Sequence, residues 1–180
     1  MPIERKINTP LSTIIKFRPA ERDELDYLKV FLFEQGTNQW NYLPEDGVGQ
    51  QFERLAAGVD SALVAVDNKT PVGLVIYGQP GDVPSLFSPY ISDTNVVYIS
   101  EVTVHSGYSG RGIGTALLNK IIEQATEMDV SALVIDRHEE NLASAGMMRK
   151  AGFTALGSFY DPSRRTVGSQ KTTVLTKRVP

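Results

Sequence analysis

Four glycines, Gly107, Gly110, Gly112 and Gly114, crowd around a single arginine, Arg111, and their spacing suits the holding of an anion. Before them, Val97 to Val104 alternates like a strand. After them, Ile113, Leu117, Ile121, Ile122, Ala125 and Met128 recur at helical spacing. The glycines therefore stand where a strand hands over to a helix N-terminus. Backbone N–H groups at such a place lack intrahelical partners, and the helix dipole adds a partial positive charge. Without a Cβ in the way, a phosphate can approach the backbone closely. Arg111 supplies a formal positive charge, and Thr115 caps or lines the loop.

Two common phosphate loops are excluded by spacing. A Walker loop places Lys and then Ser or Thr after its last glycine, but Gly112 is followed by Ile113 and Gly114. A dinucleotide fingerprint begun at Gly110 requires a third small residue where Thr115 stands. Begun at Gly112, it meets Leu117.

The run Ser109-Gly110-Arg111-Gly112-Ile113-Gly114 instead resembles the pyrophosphate loop of the GNAT superfamily of acyl-CoA-dependent N-acyltransferases, Arg/Gln-x-x-Gly-x-Gly/Ala. A second block points the same way. Leu133 to Ile135 reads as a buried strand, and Asn141 to Lys150 as a short helix stopped by Gly152 and Phe153. Asn141, Ser144, Met148, Gly152 and Phe153 fall on that family's second motif. The resemblance runs from Val97 to Phe153, with a weaker echo at Ile15 to Ala20. It implies acetyl-CoA as co-substrate, with the diphosphate on residues 109–115 and pantetheine along Val102, Thr103 and Val104. It also implies cofactor contacts from Asn141 and Ser144. Two positions depart from the pattern: Ser109 stands in place of Arg or Gln, and Met148 in place of a Tyr that often protonates the departing thiolate. A thioether has no proton to give.

Acyl transfer to an alkylamine also needs a base, because the ammonium has a pKa near ~10. Glu101 is placed for this, immediately before the expected thioester-holding segment, if burial raises its pKa. His105 shares its parity along the strand and is the second candidate. Tyr160 is the candidate replacement proton donor. Trp40 and Tyr42, beside Glu45 and Asp46, suit recognition of an apolar or cationic amine. His138 is expected in a charged loop, Asp136 to Glu140, and to do nothing chemical.

Composition narrows the chemistry further. The 180-residue chain has no Cys and only two His, so a disulfide, a thiolate metal site and a Cys acyl-enzyme are excluded, and no metal is expected. The acceptor is then expected to attack the thioester directly in a ternary complex. Lys and Arg total 18 against 21 Asp and Glu, a formal charge of -3, which argues against general binding to nucleic acid or an anionic membrane. No apolar run nears the ~20 residues of a membrane span, and Met1 to Lys6 lacks a following apolar region, so a cytoplasmic protein is expected.

The elements that must position these residues form one mixed α/β domain over 1–180, with residues 1–11 as a flexible extension. Strands are expected at Ser12–Phe17, Ala62–Val66, Val72–Tyr77, Val97–Val104, Ala132–Ile135, Ala155–Phe159 and Thr172–Thr176. Helices are expected at Glu21–Phe33, Gly49–Ala57, after Gly112 and from Asn141. The Pro/Ser/Gly-rich run Gln79 to Asn95 is long for a connection, and loops of that length are functional or disordered. The family resemblance implies a mostly antiparallel sheet whose fourth and fifth strands splay apart around the pantetheine arm. The expected function is transfer of acetyl from acetyl-CoA to a primary amine, on a small molecule or a peptide. A non-catalytic acyl-CoA-binding regulatory module is the alternative, and exposed late strands leave a homodimer open.

Overall fold

Both faces of the central strands are buried, and the alternation of each strand decides what each face carries. The computed structural model describes residues 14–180. Seven strands, β1 (Ile15–Pro19), β2 (Ser61–Asp67), β3 (Thr70–Tyr77), β4 (Val96–Val104), β5 (Ala132–His138), β6 (Thr154–Tyr160) and β7 (Lys171–Arg178), form one sheet in the order β1-β2-β3-β4-β5-β7-β6. All neighbours are antiparallel except β4 and β5. Four helices flank it: α1 (Leu25–Gly36), α2 (Glu45–Ala56), α3 (Ile113–Glu127) and α4 (Leu142–Lys150).

Helices α1 and α2 cover one face, where Leu28, Leu32 and Phe52 pack on Val64, Leu74 and Ile76. Helices α3 and α4 cover the other, where Leu117, Ile121 and Met148 pack on Leu63, Ala65, Leu133 and Ile135. Successive residues of β2 thus serve opposite layers, as a period of two requires.

The elements follow the sequence reading with four adjustments, the first being that β5 runs to His138 instead of ending at Ile135, so Asp136 to His138 lie on a strand and not in a loop. The expected extension 1–11, and the start of the first expected strand at Ser12, lie outside the described residues. The first helix begins later than Glu21, because a 3-10 turn at Arg22–Glu24 precedes it. There the Glu24 carboxylate accepts the Glu21 N–H at 2.6 Å and grips the Arg18 guanidinium at 2.5 and 3.0 Å. The second helix begins at Glu45 rather than Gly49. Pro44 is its N-cap residue, and Glu45 and Asp46 complement the dipole of its first turn, which outweighs the two glycines that follow.

The connection 79–95 lies where it was expected, as an ordered strap. Phe87, fully buried in a 3-10 turn at Ser85–Phe87, sits with its ring 5.5 Å from that of Tyr98 and 6.3 Å from that of Phe159. Val96, Val134 and Val174 complete this third cluster. This aromatic anchor holds the strap in place along its polar course. No helix among the described residues is long and apolar enough to cross a membrane.

Replacing Phe87 by Ala should lower the unfolding free energy by about 3–5 kcal/mol, the usual cost of emptying a buried aromatic site. Urea titration measures this. A loss under about 1 kcal/mol would mean that the strap is not part of the cooperative fold.

Candidate active site

The parallel pair β4–β5 is bonded only from Val96↔Ala132 to Ile99↔Ile135. Beyond that rung each strand continues with its outer neighbour alone, β4 with β3 up to Val104↔Gly73 and β5 with β7 up to His138↔Thr172. A register shift at Ile76/Tyr77 marks the parting and leaves Ser100 as the extra residue on β4. The Ser100 hydroxyl accepts from the Gln51 amide at 2.7 Å. The result is a wedge-shaped gap between two strands, part of a cavity of about 1100 Å³. Along Ser100 to Val104, the β4 edge toward β5 carries no strand partner.

At one end of the cavity lies the glycine loop. Gly110 and Gly112 have φ of +76° and +77°, and a Cβ built on either meets nothing within 4 Å. Gly112 is the N-cap residue of α3, whose first long-range helical bond runs from Ala116 N–H to Gly112 O at 2.9 Å. The N–H groups of Ile113, Gly114 and Thr115 therefore precede any intrahelical acceptor. Open space, left-handed glycines and free N–H donors fit a diphosphate. Gly114 has a different reason to be small: a Cβ there would lie 2.4 Å from the Met147 sulfur, so it permits the contact of α3 with α4. Thr115 reinforces that contact, its hydroxyl donating to Met147 O at 3.3 Å.

The loop is held from outside. Ser106 N–H donates to the Gln35 side chain at 2.9 Å, and the Tyr108 hydroxyl donates to Asp67. Arg111 is exposed, its guanidinium carbon 4.9 Å above the Tyr108 ring, and Ser109 is exposed beside it. Asn141 is the N-cap of α4, accepting Ser144 N–H at 3.2 Å through its side-chain oxygen. Its amide N–H₂ group makes no hydrogen bond among the described residues, and both residues line the cavity. Met148 is buried against the α3 cluster and lines the same cavity.

On the opposite face stands Glu101, half-buried at the gap and paired in register with Ile76. Its carboxyl makes no hydrogen bond among the described residues. Burial pushes its pKa up to about 8, Asp136 adding to the shift and Arg164 and Arg165 opposing it. The sequence reading missed this surrounding network. Asp136 accepts the Tyr98 hydroxyl at 2.5 Å and the guanidinium groups of Arg164 and Arg165 at 2.7 and 2.8 Å. Arg165 also donates to Thr172 at 2.8 Å and to Trp40 O at 3.3 Å, and Thr172 donates to Asp161 at 2.7 Å. Its sequence signal was the placement of Asp136 on the same strand face as Val134, where an unpaired charge is costly and demands cations.

Trp40 lines the cavity, its ring 4.7 Å from that of His138, and Tyr42 stands 62% exposed at the rim. His138 is structural: Nδ1 accepts Glu140 N–H at 3.0 Å, so Nε2 donates to Val167 O at 2.8 Å. Two expected catalytic residues lie elsewhere. His105 is just past the end of β4, where its Nδ1 accepts Gly107 N–H at 2.9 Å and caps a 3-10 turn, outside the cavity lining. Tyr160 is 64% exposed at the end of β6, with its hydroxyl on Gln170, also outside the lining. Parity aligned His105 with Glu101, but the strand ended before it.

The acetyltransferase (GNAT) family model matches residues 25–153. The chain belongs to the GNAT acetyltransferase family. It is accordingly an enzyme that uses acetyl-CoA as co-substrate. Solved structures agree on the fold of this GNAT domain. An N-acetyltransferase from Staphylococcus aureus Mu50 matches at TM-score 0.72 and 18% identity, over 93% of this chain and 100% of that one. Arabidopsis thaliana NAA60 in complex with acetyl-CoA matches at 0.73 and 16%, over 92% and 99%. A GNAT acetyltransferase from Streptococcus pneumoniae matches at 0.69 and 17%, over 93% and 100%. No curated protein matches the chain by sequence.

A Gly112→Asp variant should fold with a modest loss of thermal stability, since only the positive φ opposes it. It should bind CoA at least ~100-fold more weakly, because a carboxylate then occupies the mouth of a helix N-terminus. Calorimetry decides, and near-normal affinity in a folded variant would remove the cradle from the site.

Proposed function

We propose that this acetyltransferase moves the acetyl group of acetyl-CoA onto a primary amine, with direct attack in a ternary complex and Glu101 as the base. One observation carries the reading: a carboxyl without hydrogen-bond partners, raised to about 8, stands where β4 leaves β5. NAA60 complexes with acetyl-CoA and with a bisubstrate analogue support a donor and an acceptor meeting in such a fold.

The acetyl thioester supplies the activated acyl group. Residues 109–115 hold the diphosphate through N–H groups of the α3 N-terminus, with Arg111 free to swing toward it. The free edge of β4 from Val102 to Val104 pairs with pantetheine amides and polarises the thioester carbonyl. Asn141 and Ser144 face the arm from the β5 side. Trp40 and Tyr42 flank the acceptor. Glu101 takes the ammonium proton, and its raised pKa narrows the gap to an amine near ~10. Met148 offers no proton, and Tyr160 stands outside the cavity. The acid form of Glu101, with a pKa beside a thiol's ~8.5, is matched to protonate the departing sulfur.

Glu101→Gln should leave acetyl-CoA affinity intact and slow turnover by roughly 100- to 10,000-fold, with partial rescue at high pH. The parent's rate should rise through about pH 8, as the carboxylate form accumulates. Stability supplies a separate readout. A carboxyl whose folded pKa exceeds its unfolded value binds more protons in the native state, so the parent loses stability as pH rises from about 4.5 to about 8. The Gln variant lacks this loss. It should melt above the parent at pH 9 and approach it at pH 5, and identical melting curves at both values would contradict the buried carboxyl.

A further inference from the structure

The cavity wall contains one buried donor that the fold leaves without a partner. Arg137 lies on β5 two residues past Ile135, the last residue bonded to β4. Leu133 and Ile135 pack into the α3–α4 cluster, so alternation sends Arg137 to that same face, while Asp136 and His138 go to the acceptor face. Its Nη1 donates to the main-chain oxygens of His138 and Glu139 at 3.0 and 2.7 Å. Its Nε is buried and has no acceptor among the described residues. No carboxylate of the described residues forms an ion pair with it. Burial draws its pKa downward, with only the more distant charge of Glu139 in opposition.

A desolvated guanidinium with an orphan N–H is a cost to the ligand-free fold. Arg137 nevertheless lines the cavity that also contains the glycine loop and Asn141. The geometry points to a ligand oxygen as its missing acceptor. We propose that Arg137 Nε donates to an amide carbonyl of the pantetheine arm, gripping acyl-CoA from the β5 side of the gap. This rests on the reading that the arm enters between β4 and β5.

Position selects the pantetheine amides over the phosphates. Two residues of strand span about 6.6 Å, so Arg137 sits just beyond the point of parting, whereas the phosphate-binding N–H groups belong to the α3 N-terminus. The arm's amides leave water on entering the gap and require partners on both flanks. The free β4 edge serves one flank. On the other, Arg137 Nε is a buried side-chain donor without an acceptor among the described residues. The grip also replaces binding energy lost where Ser109 stands in place of a longer Arg or Gln.

Arg137→Met keeps the side chain's bulk and removes its donors, and Arg137→Lys keeps the charge without Nε. Calorimetry with acetyl-CoA and with acetyl-pantetheine, which lacks phosphates and nucleotide, should show both variants weakened roughly 10- to 100-fold for both ligands. The melting temperature of ligand-free Arg137→Met should match or exceed the parent's, because an unsatisfied buried cation has gone. Unchanged affinities would overturn the proposal. So would a loss confined to acetyl-CoA, which assigns Arg137 to a phosphate. A fall in ligand-free melting temperature with affinity retained would reduce Arg137 to a clip on the His138 and Glu139 carbonyls. A parent that fails to bind acetyl-CoA would remove the proposed function itself, whereas a binding parent with unaffected variants removes only the role of Arg137.

Discussion

The site depends on two parallel strands that stop pairing. Through Ile99 and Ile135 the pair β4–β5 is bonded normally, and both strands are buried on both faces there. Beyond it, the bulge at Ser100 turns β4 along β3, while β5 keeps a seven-residue register with β7. Sheet twist then carries the two halves apart. Backbone groups on the free edge of β4 cannot find strand partners, and burying them unpaired would be costly. In the proposed binding mode, a ligand with amides along its length enters between the strands and relieves that cost. On that proposal, binding and sheet geometry are one problem.

Asp136 holds the acceptor side of this gap in shape. Its side chain is almost wholly buried, and Tyr98 reaches it from β4 across the last paired rungs. Arg164 and Arg165, from the turn between β6 and β7, neutralise it. Arg165 continues to Trp40 O in the loop between α1 and α2, so one carboxylate joins three otherwise separate segments. The same carboxylate acts on Glu101. Two guanidinium groups favour ionised Glu101, while desolvation and the Asp136 charge oppose it, and the opposing effects win. The wall that shapes the pocket thus also sets the proton affinity of the group inside it.

How much of this was legible beforehand differs between the two faces. The cofactor face announces itself locally, since glycine spacing, a strand before it and a helical period after it occupy one continuous stretch. Short-range rules read such a stretch well. The short helix from Asn141, stopped at Gly152, followed from the same kind of local rule. The acceptor face is assembled from residues far apart in the chain. Asp136 and Arg165 meet across a helix, a strand and a turn, and Trp40 joins them over 125 positions. No local pattern encodes those meetings. His105 failed for the complementary reason: parity placed it correctly along a strand, but the chain left the strand at Val104 and gave its imidazole a capping role. For the strap at 79–95 the sequence left function and disorder open, and the burial of Phe87 shows that it is ordered.

Strand β5 shows why the register of this sheet is inseparable from its chemistry. Consecutive residues Asp136, Arg137 and His138 go to opposite faces: a buried carboxylate for the acceptor side, a guanidinium for the cofactor side, and a histidine tied into the β6–β7 turn. A slip of one residue would exchange them, placing a cation in the Asp136 position against Arg164 and Arg165. The slip is blocked upstream. Leu133 and Val134 are both fully buried on opposite faces, in clusters of different shape, so neither tolerates the other's place. The Thr176 hydroxyl further pins Leu133 O at 3.0 Å. Apolar packing at the start of the strand, remote from any reacting atom, therefore fixes which charges face the acceptor and which face the cofactor at its end.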